Sequence, residues 1–178
     1  MNSHRLSYQS QVFGESSTIG RLIENFPAIR HALFVEGVPK GFIGRRYTAD
    51  SRLTSLETEG HSRVLRFGSS GLTGVVGIEL SSGHVVEIVK PQHPVSLFVN
   101  TSIVQFTETV KAVINRFPYY DSDSDEEEIG SVAHELMEII GRIDPEAVVP
   151  DRYWSTFIDD IEIGDLSTEA ILAVIDRG

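Results

Sequence analysis

The stretch "GVVGIELSSGHVVEIV", residues 74–89, decides the fold. Two valine- and isoleucine-rich runs, "GVVGIEL" and "HVVEIV", flank Ser81-Ser82-Gly83. A short Gly-containing link between two such runs predicts a β-hairpin. A third run, "RVLRF" (63–67), precedes them, so residues 63–90 read as the centre of an antiparallel or mixed sheet. Pro91 and Pro94 break the pattern, and "SLFVN" (96–100) adds a short strand. Upstream, "SRLTSLETEGHS" (51–62) is polar and reads as irregular.

Helical spacing surrounds this centre. On the N-terminal side, Leu22, Phe26, Ile29 and Leu33 recur at helical intervals. Pro27 suits the first position of a fresh helix, and Gly37 with Val38-Pro39 ends it. On the C-terminal side, "SIVQFTETVKAVINRF" carries the stripe Phe106, Val110, Val113 and Phe117. Ser102 and Gln105 stand at capping-box positions, with the Gln105 side chain expected to reach back, and Pro118 stops the helix. "SVAHELMEIIGRI" (131–143) predicts another helix, with Leu136, Ile140 and Ile143 on one side. "DRYWSTFIDDIEIG" follows with Trp154, Phe157, Ile158 and Ile161, and "STEAILAVID" is a last short helix opened by Ser167. Helix, then strands, then helices is the order of an α+β fold. The expected architecture is one domain over residues 17–178, with a central, mostly antiparallel or mixed sheet packed by helices. Residues 1–16 are expected to form a flexible lead-in.

The 178 residues and 40% hydrophobic content are enough for one ordinary core. Without cysteine, disulfides, thiolate metal sites and Cys nucleophiles are excluded. The polar N-terminus lacks the apolar stretch of a signal peptide, and no run of about 18 apolar residues occurs. The expectation is a cytoplasmic protein with no membrane partner. The net charge of −11 argues against nucleic-acid binding, which needs a clustered basic face. The charge is also lopsided. Residues 1–120 carry 12 Lys+Arg against 9 Asp+Glu, a net of +3, whereas residues 121–178 carry 3 against 17, a net of −14.

Most of that excess begins in "YYDSDSDEEEIGS" (119–131), which crowds Asp121, Asp123, Asp125, Glu126, Glu127 and Glu128 into one run. The alternating aspartates suggest a Ca²⁺ loop, but an EF-hand needs Gly sixth and Glu twelfth. Here those positions hold Glu126 and Val132. "HELME" (134–138) has the first imidazole and the Glu of a zinc-protease helix, but Glu138 replaces the second His. It otherwise fits an exposed polar face opposite Leu136 and Ile140. "GESSTIGR" has the wrong spacing for a phosphate loop, and "GLTGVVG" misses the dinucleotide fingerprint. No Gly-x-Ser-x-Gly elbow exists, and His4, His31, His61, His84, His93 and His134 lack ligand spacing. No catalytic residue, metal or cofactor is assigned.

Four segments, taken in order, resemble the fourth subfamily of the SUKH superfamily of bacterial immunity proteins. "FPAIRHALFVEGVPKGF" is similar to its helix and Gly-Leu-Pro turn, with Val38 in place of Leu. "GIELSSGHVVEIV" resembles its strand–turn–strand, with Glu79 where Asp is expected. "FVNTSIVQFTETVKAV" resembles its Val-Asn-Ser-Ser entry into a helix, with Thr101 replacing Ser. "YWSTFIDDIEIG" resembles its late Trp-containing helix. The segments lie between residues 26 and 164. The resemblance implies an α+β domain that binds and neutralises a protein toxin of a polymorphic toxin system, often a nuclease or nucleobase deaminase with a basic face. It implies no catalytic residues, because such proteins act by binding, and it leaves the oligomeric state open.

Under that implication the six carboxylates at 121–128 are the candidate partner-binding residues, since an acidic surface can block a basic cleft and speed encounter. The same run also fits a solvated loop whose acids favour the start of the next helix. Asn100 and Ser102 read as a strand exit and a cap, and Trp154 as core. Lys40, Arg45 and Arg46 form the one basic cluster, a candidate second patch. Two rival readings remain: a regulatory or scaffold domain of the same fold, and a metal-dependent hydrolase using His134, Glu135 and Glu138.

Overall fold

A computed structural model describes residues 6–43, 46–57, 62–89 and 95–175. Arg45, the Pro91–Pro94 break, and His4, His61 and His93 lie outside them. Six antiparallel strands form one sheet in simple chain order: β3 (Gly41–Phe42), β4 (Tyr47–Glu57), β5 (Arg63–Ser70), β6 (Gly74–Glu79), β7 (Val85–Val89) and β8 (Val95–Asn100). The hairpin expected from 74–89 is β6–β7, with Ile78 opposite Val85 and Val75 opposite Ile88. Gly83 closes its turn at φ +79°, a conformation that side chains with a Cβ rarely adopt, and donates to the Glu79 carbonyl at 2.8 Å.

One element departs from expectation. Residues 51–57 are not irregular but continue β4, whose Thr54–Glu57 half pairs with Arg66–Arg63 of β5. Its register slips between Ala49 and Thr54. Among the described residues Tyr47 and Thr48 pair with β3 and Ala49 N–H donates to the Lys40 carbonyl on that side, whereas residues 51–57 form a sheet edge exposed on most of both faces. A strand there needs no apolar alternation, which is why its polar sequence conceals it.

The N-terminal stripe is divided between two short helices, α1 (Ser17–Leu22) and α2 (Pro27–His31), with Pro27 at the start of the second as expected. Ile23, between them, is fully buried, whereas Leu22 and Phe26 are half-buried. One π-helical turn (Ala32–Glu36) leads to Gly37, at φ +81°. A Cβ there would meet the Gln11 carbonyl oxygen at 2.9 Å. The close approach comes from β1 (Ser10–Gln11), which pairs with β2 (Val38–Pro39) inside the segment read as a lead-in; Phe13 just beyond is buried.

Four helices follow the sheet: α3 (Ile103–Arg116), α4 (Glu126–Ile143), α5 (Tyr153–Glu162) and α6 (Thr168–Ile175). Their apolar stripes and one face of the sheet make a single core, with Phe67, Ile78 and Val85 facing Phe106, Val110, Leu136, Trp154 and Phe157. Trp154 lies 5.4 Å from Phe42 and 5.8 Å from Phe157 between ring centroids, distances at which tilted and edge-on pairs attract. The chain is therefore an α+β single domain. Among the described residues no helix is long and apolar enough to cross a membrane.

Candidate functional site

The acidic run is held at both ends by apolar anchoring. Tyr119 and Tyr120, immediately before it, are buried. The Tyr119 hydroxyl donates to the Val113 carbonyl at 3.1 Å, and burial drives its pKa far above the usual phenol range. The Tyr120 hydroxyl accepts from the Leu166 N–H at 2.9 Å, and its carbonyl accepts from Thr168 N–H at 2.8 Å. On the far side, Val132, Ala133 and Leu136 plant α4 in the core.

Between these anchors the run divides into a turn and a helix start. Ser124 N–H donates to the Asp121 carbonyl at 3.1 Å, and Asp121 N–H donates to Ser124 Oγ at 3.1 Å. Asp125 caps α4, its Oδ1 accepting from Glu128 N–H at 2.9 Å. Glu126, Glu127 and Glu128 are then the first helical turn, not a loop ahead of a helix at 131. The helix begins five residues before the expected start at Ser131 because the cap and the first-turn acids satisfy and complement its N-terminus. Each such acid contributes about 0.3–1 kcal/mol.

All six carboxylates are exposed, and among the described residues none belongs to an ion pair. Arg116 lines the same shallow hollow as Asp125, Glu127 and Glu128. Its Nε instead donates to Glu135 Oε2 at 2.7 Å, and its Nη1 to the Pro118 carbonyl at 2.7 Å. The run is thus a fixed, uncompensated anionic surface. Such a surface attracts a basic partner over roughly a Debye length.

The other candidates are not brought together in this way. His134 Nε2 lies 3.5 Å from Glu138 Oε1 on the exposed side of α4, opposite the buried Leu136 and Ile140. Glu135 is held by Arg116. Among the described residues no group of three or more His, Asp or Glu side chains could hold a metal ion. Of the basic cluster, Lys40 is exposed. Arg46 is half-buried, pairing with Asp160 and lying 5.3 Å from the Phe157 ring centre.

Sequence reasoning missed a buried polar junction beneath the surface. Asp144, at the end of α4, is fully buried, as are Asn100 and Thr109. Its Oδ2 accepts from Asn100 Nδ2 at 2.9 Å and Thr101 N–H at 2.7 Å, and its Oδ1 from Thr101 Oγ1 at 2.8 Å. Trp154 Nε1 donates to Asn100 Oδ1 at 2.9 Å. The helix cap connects here as well. Ser102 Oγ accepts from Gln105 N–H as expected, and the Gln105 side chain reaches back, its Oε1 accepting from the Ser102 hydroxyl at 2.9 Å while its Nε2 donates to the Ile143 carbonyl at 3.3 Å. "VNTS" and "YW" were visible as motifs; the bond between them and the Asp144 acceptor, distant along the chain, were not.

The family model described as SUKH-4 immunity protein matches residues 27–160. That span includes β2 to β8, the acidic run, the Asp144 junction and most of α5. No curated protein and no solved structure matches the chain. The match covers well over half of the sequence and coincides with the segments whose side chains meet at Asp144, and the chain therefore belongs to the SUKH-4 immunity protein family.

Proposed function

We propose that this protein neutralises a toxin by binding it, with Asp121, Asp123, Asp125, Glu126, Glu127 and Glu128 meeting a basic face on the toxin domain. Family membership supports the immunity role. The observation that carries the surface assignment is that six exposed carboxylates are held between buried anchors and, among the described residues, enter no ion pair. A nuclease or nucleobase-deaminase domain of a bacterial polymorphic toxin system suits this surface, because its substrate cleft must attract polyanions. The protein acts in the cytoplasm, where the toxin would otherwise reach its substrate. It uses no catalysis, cofactor, membrane or nucleic acid.

The test is co-expression with the toxin domain encoded beside this gene, followed by calorimetric titration of the two purified proteins. Neutralisation should be judged with Asp121→Asn, Asp123→Asn, Glu126→Gln and Glu127→Gln combined, leaving Asp125 to cap α4. The expected result is protection by the wild type, and binding that weakens with added salt and with neutralisation. Protection with unchanged affinity in the neutralised variant would move the contact elsewhere. Failure of the wild type to bind or protect would overturn the immunity assignment.

A further inference from the structure

A groove of about 530 Å³ lies between the β7–β8 end of the sheet, the turn at Gly71, and helices α5 and α6. Its walls are mostly apolar, with Leu97 on one side and Leu166, Ala170, Ile171 and Val174 on the other. Beside it, in the β5–β6 turn, Leu72 is 86% exposed. An open apolar trough with a bare leucine at its edge is the kind of concavity that receives a side chain from a partner.

Charge narrows what that side chain belongs to. Three charged groups line the groove: Arg46, Glu87 and Asp165. The Arg46 guanidinium is neutralised by Asp160. Glu87 accepts a hydrogen bond from the Ser70 hydroxyl, and among the described residues neither it nor Asp165 is in an ion pair. Besides the paired Asp160, the helices beside the groove and the turn joining them carry Asp159, Glu162, Asp165 and Glu169, with no Lys or Arg anywhere between 153 and 175. An acidic rim around an apolar floor favours an apolar residue flanked by Lys or Arg.

Position ties the groove to the same partner as the acidic run. Leu166, in its wall, donates its N–H to the hydroxyl of Tyr120, the residue just before Asp121. The α6 residue Thr168 donates to the Tyr120 carbonyl. One tyrosine therefore joins the groove wall to the start of the run.

From this we infer that the groove is the anchoring pocket for the toxin, taking an apolar side chain that stands next to a basic residue. This inference rests on the immunity assignment. The run supplies long-range attraction that salt screens, and the groove supplies the desolvated contact on which specificity depends.

The test uses Ala170→Trp, which fills the groove from an exposed position, and Asp165→Lys, which reverses the rim charge on an exposed turn. Both are titrated calorimetrically against the purified toxin domain encoded beside this gene, after thermal melts confirm folding. Ala170→Trp should weaken binding roughly tenfold or more with an unchanged salt slope, as blocking an anchor pocket does. Asp165→Lys should weaken it several-fold and reduce the salt dependence. If the wild type binds and both folded variants bind within about twofold of it, the groove is not the anchor although the immunity assignment stands. If the wild type does not bind, both fall together.

Discussion

Two clusters of carboxylate chemistry flank α4, and they behave as opposites. At its start, Asp125 and the three glutamates of the first turn face water, and the cap bond is made to backbone of the same helix. At its end, Asp144 is fully buried and its oxygens receive donors from residues 43 and 44 positions away. The first cluster has oxygens left over for a partner, while the second spends its capacity inside the fold. The difference teaches that a run of acids says little about stability here, whereas one isolated aspartate joins β8, the entry to α3, the end of α4 and, through Asn100 and Trp154, helix α5.

That contrast is broken most directly at Asp144. Asp144→Ala removes the acceptor of three hydrogen bonds and leaves Asn100 Nδ2, Thr101 N–H and Thr101 Oγ1 without it. Buried donors left unsatisfied cost about 1–3 kcal/mol each; Asn100 Nδ2 keeps Thr109 Oγ1 at 3.4 Å and Thr101 is half-buried, so a loss of about 3 kcal/mol is expected. Urea unfolding followed by the fluorescence of the single tryptophan measures it. A loss below about 1 kcal/mol would mean that the junction is not a structural centre.

A smaller effect is expected at Trp154→Phe, which keeps an aromatic ring in the core but withdraws the indole donor from Asn100 Oδ1. The expected cost is about 2–3 kcal/mol, from an orphaned acceptor together with lost volume. Circular dichroism replaces fluorescence as the probe. Pairing this change with Asn100→Ala sharpens the assignment, because residues in one network should be strongly non-additive.

The two clusters also differ in how visible they were in the sequence. The β6–β7 hairpin and α3 were legible because valine runs, a Gly-bearing link, a Ser cap and a stripe at helical spacing are local signals. The six acids were legible as a run. The position of four of them as cap and first turn was not, because the apolar stripe of α4 begins only around Ile129 and Val132. Polar β4 was missed because an edge strand can satisfy one row of backbone groups with water and bury neither face fully. Asp144 was missed because nothing near it in sequence announces that Asn100 and Thr101 point at it. The groove is similarly non-local, assembled from a sheet end and two helices.

At the exposed end, Asp125→Ala should cost about 1 kcal/mol by removing the acceptor for Glu128 N–H, and Asp125→Asn far less, since an amide oxygen still caps. Equal losses in thermal unfolding for both variants would show that charge, rather than the hydrogen bond, holds the helix start.

The smallest stability effect belongs to Asp121→Asn with Asp123→Asn. Both side chains are exposed, and the turn they occupy is closed by the Asp121 backbone and Ser124 rather than by their carboxylates. Removing two of six crowded like charges also relieves repulsion, so stability should stay within about 0.5 kcal/mol and could rise slightly at low salt. Denaturation midpoints at low and high salt check this. A marked loss would mean that these aspartates serve the fold and would weaken their assignment to a partner. An unchanged midpoint joined to weaker, less salt-sensitive toxin binding would separate the two clusters cleanly: the carboxylates at one end of α4 available for recognition, the one at the other end committed to the core.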